Sequence, residues 1–281
     1  LTLGEQADHG ELTLPDGLVI KDELTFRQER LANLAKAKAV LEARAQERFA
    51  AEQAEYAAKL RERAAKTERN GRKPGGRPPQ PPTPGPHDND QYNFTDPDSR
   101  IMKNSTDEGF DQHYNTQAVV DQASMLIMAT ALSNHPNDRQ EAEPAVEAIA
   151  PKVGKPKAAA LDNGYWSPAN AKALEDRGID AYIATGREPH HHNWKTFFAK
   201  QSAPPDTAAS PQVKMAYKLQ TEIGRAIYRL RKMTVEPVIG LIKEVLGFRQ
   251  FSLRGLGAAA GEWCLVCLAF NLKRLHVLMA D

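Results

Sequence analysis

Apolar residues recur along the chain in two rhythms, and the change between them divides it. Over residues 21–70, Leu34, Leu41, Ala45, Phe49, Tyr56 and Leu60 return at steps of mostly four or seven among Ala, Glu, Lys and Arg. That spacing predicts one long amphipathic helix resembling a coiled-coil arm. Its apolar positions are sparse and partly small, so the arm calls for a partner, either another helix of this protein or another copy. From Tyr114 the rhythm becomes that of strands. YNTQAVVD (114–121) and LIMATAL (126–132) are separated by four residues and predict an antiparallel hairpin. Asp138 is placed to cap a helix over 139–150, and the run 157–161 ends in Asp162. Ser167 is placed to cap a helix over 168–177 that stops at Gly178, and 179–184 reads as another strand. Loop follows to about residue 211, then helical patterns over 213–246 and 257–279. Hairpin, helix, strand, helix, strand, helices is the order of an α/β protein with a mixed sheet flanked by helices.

The two rhythms are joined by GRKPGGRPPQPPTPGPH, with seven Pro and four Gly in its 17 residues. Such a segment forms neither helix nor sheet and favours extended polyproline II. The organisation expected is a helical arm over 1–70, a Pro/Gly-rich linker over 71–90 and an α/β region over 91–281.

Charge changes the picture only locally. The chain carries 37 Lys and Arg against 36 Asp and Glu, a net charge of +1. Around the linker, however, eight cations from Lys59 to Arg77 face only Glu62 and Glu68, and residues 211–281 hold eleven Lys and Arg against five Asp and Glu. The near-neutral total conceals two basic regions suited to a polyanion. Two cysteines exclude a disulfide framework, and a reducing cytoplasm is the compartment expected. No secretory leader is expected, and with no unbroken run of 18 apolar residues neither is a membrane partner.

Carboxylates are the candidate chemistry. Asp162 follows the buried-type run AAAL, which places it at the carboxyl rim of a sheet, where α/β sites form; the alternative is that it merely opens an Asp-Asn-Gly turn. Glu236 lies in TVEPVIGLIKE among Arg231, Lys232 and Lys243, and is read either as a paired surface carboxylate or as a site residue. Pro237 next to it suggests a local break that puts Glu236 at a helix start. Asp121 ends the first hairpin strand and suits either metal ligation or turn capping, whereas Asp96 and Asp98 read as turn residues around Pro97. Two or three such oxygens suit Mg²⁺ or Mn²⁺, and a pair of these ions promotes phosphodiester cleavage. Cys264 and Cys267 have CxxC spacing but sit in an apolar helix and read as core packing, and His190–His192 read as loop.

The segments TDPDSRIMK, GFDQHYNTQAVVDQASMLIMATALSNHPND, ALDNGYWS, IATGREPHH, YRLRKMTVEPVIGLIKEVLGFRQFSLRGL and GEWCLVCLAFNLKRL together resemble DDE transposases of bacterial insertion sequences. The resemblance is to the branch with a long helical insertion and a Pro-rich linker. It implies an RNase H-like fold, metal-dependent cleavage and joining of double-stranded DNA at transposon ends and target, Mg²⁺ or Mn²⁺ as cofactor, and a homo-oligomer on DNA. It places the second acid at Asp162, followed by Gly164 and Tyr165. It places the third at Glu236, with Tyr228, Arg231 or Lys232, and Lys243 as DNA contacts. Lys232, not Arg231, has the family's distance from the Glu. The first acid belongs on a strand ahead of the helical insertion. The expectation is therefore a copy lacking that strand, possessing Asp121 as the best substitute within the chain, either as an incomplete enzyme or as a DNA-binding assembly fragment.

Overall fold

The computed structural model describes residues 20–103, 109–186 and 203–280. His190–His192 lie outside them. The chain divides into two compact units, one ending at Phe94 and one beginning at Thr95.

In the first unit, α1 (Ile20–Asn70) is a single 51-residue helix, as the spacing predicts. Asp22 and Glu23 at its start and Arg69 at its end match the helix dipole. Gly71, in the left-handed region at φ +65°, ends it, and the chain turns back. The Pro-rich segment that follows forms no helix or strand, yet it is more than a spacer. The Arg63 guanidinium donates to the Pro74 carbonyl at 3.0 Å. Arg48 donates to both carboxylate oxygens of Asp90, at 2.8 and 3.0 Å, and to the Gly85 carbonyl at 3.1 Å. Arg44 lies over the Tyr92 ring. A segment without helix or strand of its own is thus tethered to the helix by side chains. The Arg48 guanidinium, together with the His87 N–H, holds the Asp90 carboxyl below its ordinary range.

The second unit begins with β1 (Arg100–Lys103) and β2 (Phe110–His113), an antiparallel pair. The predicted hairpin follows as β3 (Asn115–Val120) and β4 (Ile127–Ser133), antiparallel, with a register shift at Val119/Val120. β5 (Ala158–Leu161) and β6 (Asp180–Ile183) are parallel. Between β4 and β5 the chain forms a 3₁₀ turn at Asp138–Gln140 and the short α2 (Ala142–Glu147). The cap here is Asn137 rather than Asp138, and the single helix expected over 139–150 is broken up, with Pro144 in its first turn. Ser167 caps α3 (Pro168–Asp176) as expected, accepting from the Asn170 N–H at 3.0 Å. The remaining helices are α4 (Pro211–Gln220), α5 (Glu222–Glu244) and α6 (Leu256–Ala280).

Strands of both senses are present, but among the described residues they pair as three two-stranded sheets rather than one mixed sheet. The β3–β4 and β5–β6 pairs each have their own core. Ile127 of β4 packs with Val238 and Ile242 of α5 and Trp263, Cys267 and Phe270 of α6. Ala181 and Ile183 of β6 pack with Ala171 and Leu174 of α3 and Met215 of α4. Helix α5 touches β3, β5 and β6 and so spans both halves. Its start is tightly built. Thr221 Oγ1 accepts from the Gly224 N–H at 3.0 Å, and a Cβ on Gly224 would lie 1.9 Å from the Lys218 carbonyl oxygen. Pro237 causes no break: α5 runs through it.

The start of α6 is fixed from far away. Asp96 is buried and accepts from the Gly255 N–H (3.1 Å) and the Tyr114 hydroxyl (2.8 Å), and Asp98 accepts from the Leu256 N–H (3.0 Å). These two acids are therefore capping groups as well as turn residues. Burial, with the Asp96 charge, pushes the Tyr114 phenol upward. Asn271 bonds the backbone of Ile127, Trp263 Nε1 donates to the Gln117 carbonyl at 3.0 Å, and Arg274 donates to the Ser124 carbonyl at 2.8 Å. Of the two cysteines only Cys267 is in the core, where burial pushes its thiol up to about 12; Cys264 is exposed. By length and composition α6 could also cross a membrane, with a mean hydropathy of 1.4 over 18 residues. That overturns the expectation that no helix would qualify; in the fold one of its faces lies on β4.

Candidate functional site

Three strand ends meet at one place: the amino end of β3 and the carboxyl ends of β4 and β5. β5 is short and alanine-rich, and Asp162 immediately follows it. The Asp162 carboxylate accepts from the Gly164 N–H at 2.8 Å, closing the Asn163–Tyr165 turn. The turn that was the bland reading of Asp162 is therefore real, and it also fixes where the carboxylate points.

A second acid comes to the same turn. Asp138, just after β4, accepts from the Asn115 amide at 2.8 Å and the Gln117 amide at 2.9 Å, both from β3. A Cβ on Gly164 would lie 2.8 Å from the Asp138 Oδ2 and 3.0 Å from the Asp162 Oδ1. The two carboxylates thus flank Gly164 so closely that an added Cβ would make at least one of them shift. Tyr165 completes the setting, its hydroxyl donating to the Gln117 side-chain carbonyl. Burial first, then the charges of Asp138, Asp162 and Glu141, pushes its phenol upward. Asn170, itself buried, donates to the Tyr165 carbonyl at 2.7 Å and the Arg139 carbonyl at 2.9 Å. This polar network joins β3, the turn after β4, the turn after β5 and α3.

Asp138, Gln117 and Asn170 were not singled out as site residues in the sequence. The available signal was position: Asp138 follows the end of a strand, as Asp162 does.

The other expected residues lie elsewhere. Asp121 accepts from the Ser124 N–H (2.8 Å) and hydroxyl (2.7 Å), which hold its carboxyl below the ordinary range. It is four residues past Gln117 on β3, roughly 13 Å at strand rise, toward the opposite end of the strand from Asn115. Glu236 is 58% exposed, with Arg231 at 3.7 Å. Arg231 packs against the Tyr228 ring, 5.5 Å from its centroid, and its Nε is buried without a hydrogen-bond partner. Arg225, Arg229, Lys232, Glu236 and Lys243 are all exposed and follow one another at helical spacing. They form a single row on the side of α5 opposite the buried Thr234, Val238 and Ile242. Among the described residues, no hydrogen bond or ion pair joins Glu236 to Asp162.

Asp138 and Asp162 offer hard oxygen donors of the kind Mg²⁺ and Mn²⁺ favour. Among the described residues, however, no group of three or more His, Cys, Asp or Glu is arranged to hold a metal ion. The described set does not complete such a site.

No curated protein and no solved structure matches the chain. A family model does, the transposase DDE domain, over residues 83–272. That span takes in β1 to β6, the Asp138–Asp162 turn, the basic row of α5 and most of α6. The chain belongs to the transposase DDE domain family.

Proposed function

We propose that this protein is an insertion-sequence transposase of RNase H-like layout, with 91–281 as its catalytic region and the arm and linker as an appendage. Double-stranded DNA lies along Arg225, Arg229, Lys232 and Lys243, whose charges meet phosphates at one step per helical turn or two. Asp162 is the acid of the site, and Glu236, central in the basic row, is the carboxylate that bound DNA brings toward it. The observation that carries this reading is the Asp138–Asp162 pair around Gly164: two carboxylates held rigidly at the end of a parallel strand, in a domain whose family cuts and joins DNA. The family's activity depends on a divalent metal, and the reading includes Mg²⁺ or Mn²⁺.

The test is nicking of a labelled duplex carrying the insertion-sequence end, with Mg²⁺ or Mn²⁺, compared with Asp162→Asn and Glu236→Gln. Nicking abolished by both substitutions, with DNA affinity retained, is the expected result. Nicking that survives Asp162→Asn overturns the assignment. Among the described residues no third ligand joins Asp138 and Asp162 in a metal-holding group, and that favours a second reading, a DNA-binding assembly protein without cutting. It predicts salt-dependent binding of the same duplex and no nicking by the wild type.

A further inference from the structure

Helix α6 is apolar on two faces, and the fold covers only one. Ala259, Trp263, Cys267 and Phe270 are buried toward β4. On the other side, Leu265, Leu268, Leu272, Leu275 and Met279 are exposed by 65, 51, 60, 41 and 85%. With Ala258 and Gly261, also exposed, they follow steps of three and four along the whole helix. That is the a/d pattern of a two-helix seam, and a helix apolar all round belongs in a covered setting.

We propose that this seam is where a second copy of the chain docks, pairing α6 with its own equivalent about a two-fold axis. The proposal does not depend on the assignment of catalysis. The 3.5-residue period specifies a helical partner. The flanking positions hold Cys264, Ala269, Asn271 and His276, plus Glu262, whose carboxylate already accepts from the N–H groups of Ser252 and Leu253. Charges at such positions select unlike partners or repel like ones, and their near absence leaves self-pairing unopposed. Covering the exposed seam removes roughly 600 Å² per copy, about 1,200 Å² over the two, which exceeds the ~1,000 Å² total that a specific interface needs. A lipid surface fits less well, because helices lying on bilayers carry Lys and Arg along the polar face, whereas here that face is the protein core.

Sedimentation of the full chain over a micromolar concentration series tests this. The expected species has twice the 31.0 kDa chain mass. The pair Leu268→Glu with Leu272→Glu should halve the mass while far- and near-ultraviolet circular dichroism, the latter reporting Trp263, stay as in the wild type. If that variant does not fold, Leu268→Ser with Leu272→Ser takes its place. A spin label on Cys264, exposed where Cys267 is buried, should show a defined inter-copy distance in the wild type that the variant loses. Three results overturn the proposal: a monomeric wild type; a dimer unaffected by the seam substitutions but dissolved by Leu31→Glu in α1; or seam-dependent co-sedimentation with phosphatidylcholine vesicles by a monomer.

Discussion

α5 and α6 are similar in length, 23 and 25 residues, and each sets an apolar face against a sheet. Their outer faces differ. α5 presents Arg225, Arg229, Lys232 and Lys243 around Glu236, while α6 presents leucines. The inner faces explain the fold and are nearly interchangeable in character. On the readings proposed above, the outer faces are what separate a helix that meets a polyanion from one that meets its own kind. Function in this chain is read from the side of a helix the core does not need.

That contrast can be broken from within or from without. On the inner side, Trp263→Ala removes a buried indole and its hydrogen bond to the Gln117 carbonyl. A loss of about 3–5 kcal/mol in denaturant unfolding is expected. Gly224→Ala at the start of α5 drives a Cβ into the Lys218 carbonyl. Its cost should be ~3 kcal/mol, and full stability would mean that the α4–α5 junction is looser than described. On the outer side, Arg225→Glu with Arg229→Glu should weaken DNA binding at least tenfold and lower the salt slope by about 2. Stability should move by less than about 0.5 kcal/mol. Unchanged DNA affinity would remove α5 from the interface. Gly164→Ala sits between these cases: the added Cβ displaces Asp138 and Asp162, so nicking should fall steeply while DNA affinity holds.

The smallest effect concerns the turn under Arg274. Ser124 holds the Asp121 carboxyl below its unfolded value, so this contribution is present above about pH 4 and is lost as pH falls through the folded value. The wild-type melting temperature should therefore drop more between pH 5 and pH 3 than that of Asp121→Asn. Parallel curves would refute the coupling.

Elements with six or more patterned residues were legible from sequence: the β3–β4 hairpin, α1, α3 with its Ser167 cap, and the helical stretches of the carboxyl third. β1 and β2 were not, because RIMK and FDQH are four residues each and FDQH has no apolar alternation. Pro237 misled in a specific way. Proline removes one hydrogen bond, but α5 is held by Val238 and Ile242 in the core and continues through it. Asp162 was legible because strand and turn are adjacent in sequence. Its neighbour Asp138 was not, because the two meet only after the turns that follow β4 and β5 are brought together. The tether of Arg48 to Asp90 was hidden for the same reason, since 42 residues separate the partners.

The caps of α6 have a consequence in time. Asp96 and Asp98 satisfy backbone groups 159 and 158 residues further on, at the start of α6. Closing so long a loop is slow, and nothing local replaces it. During synthesis the β3–β4 hairpin emerges with its apolar face bare and waits for Trp263 and Phe270 until α6 has been made. A chain stalled before α6 would therefore expose that face, making the second unit dependent on chaperones until that helix arrives.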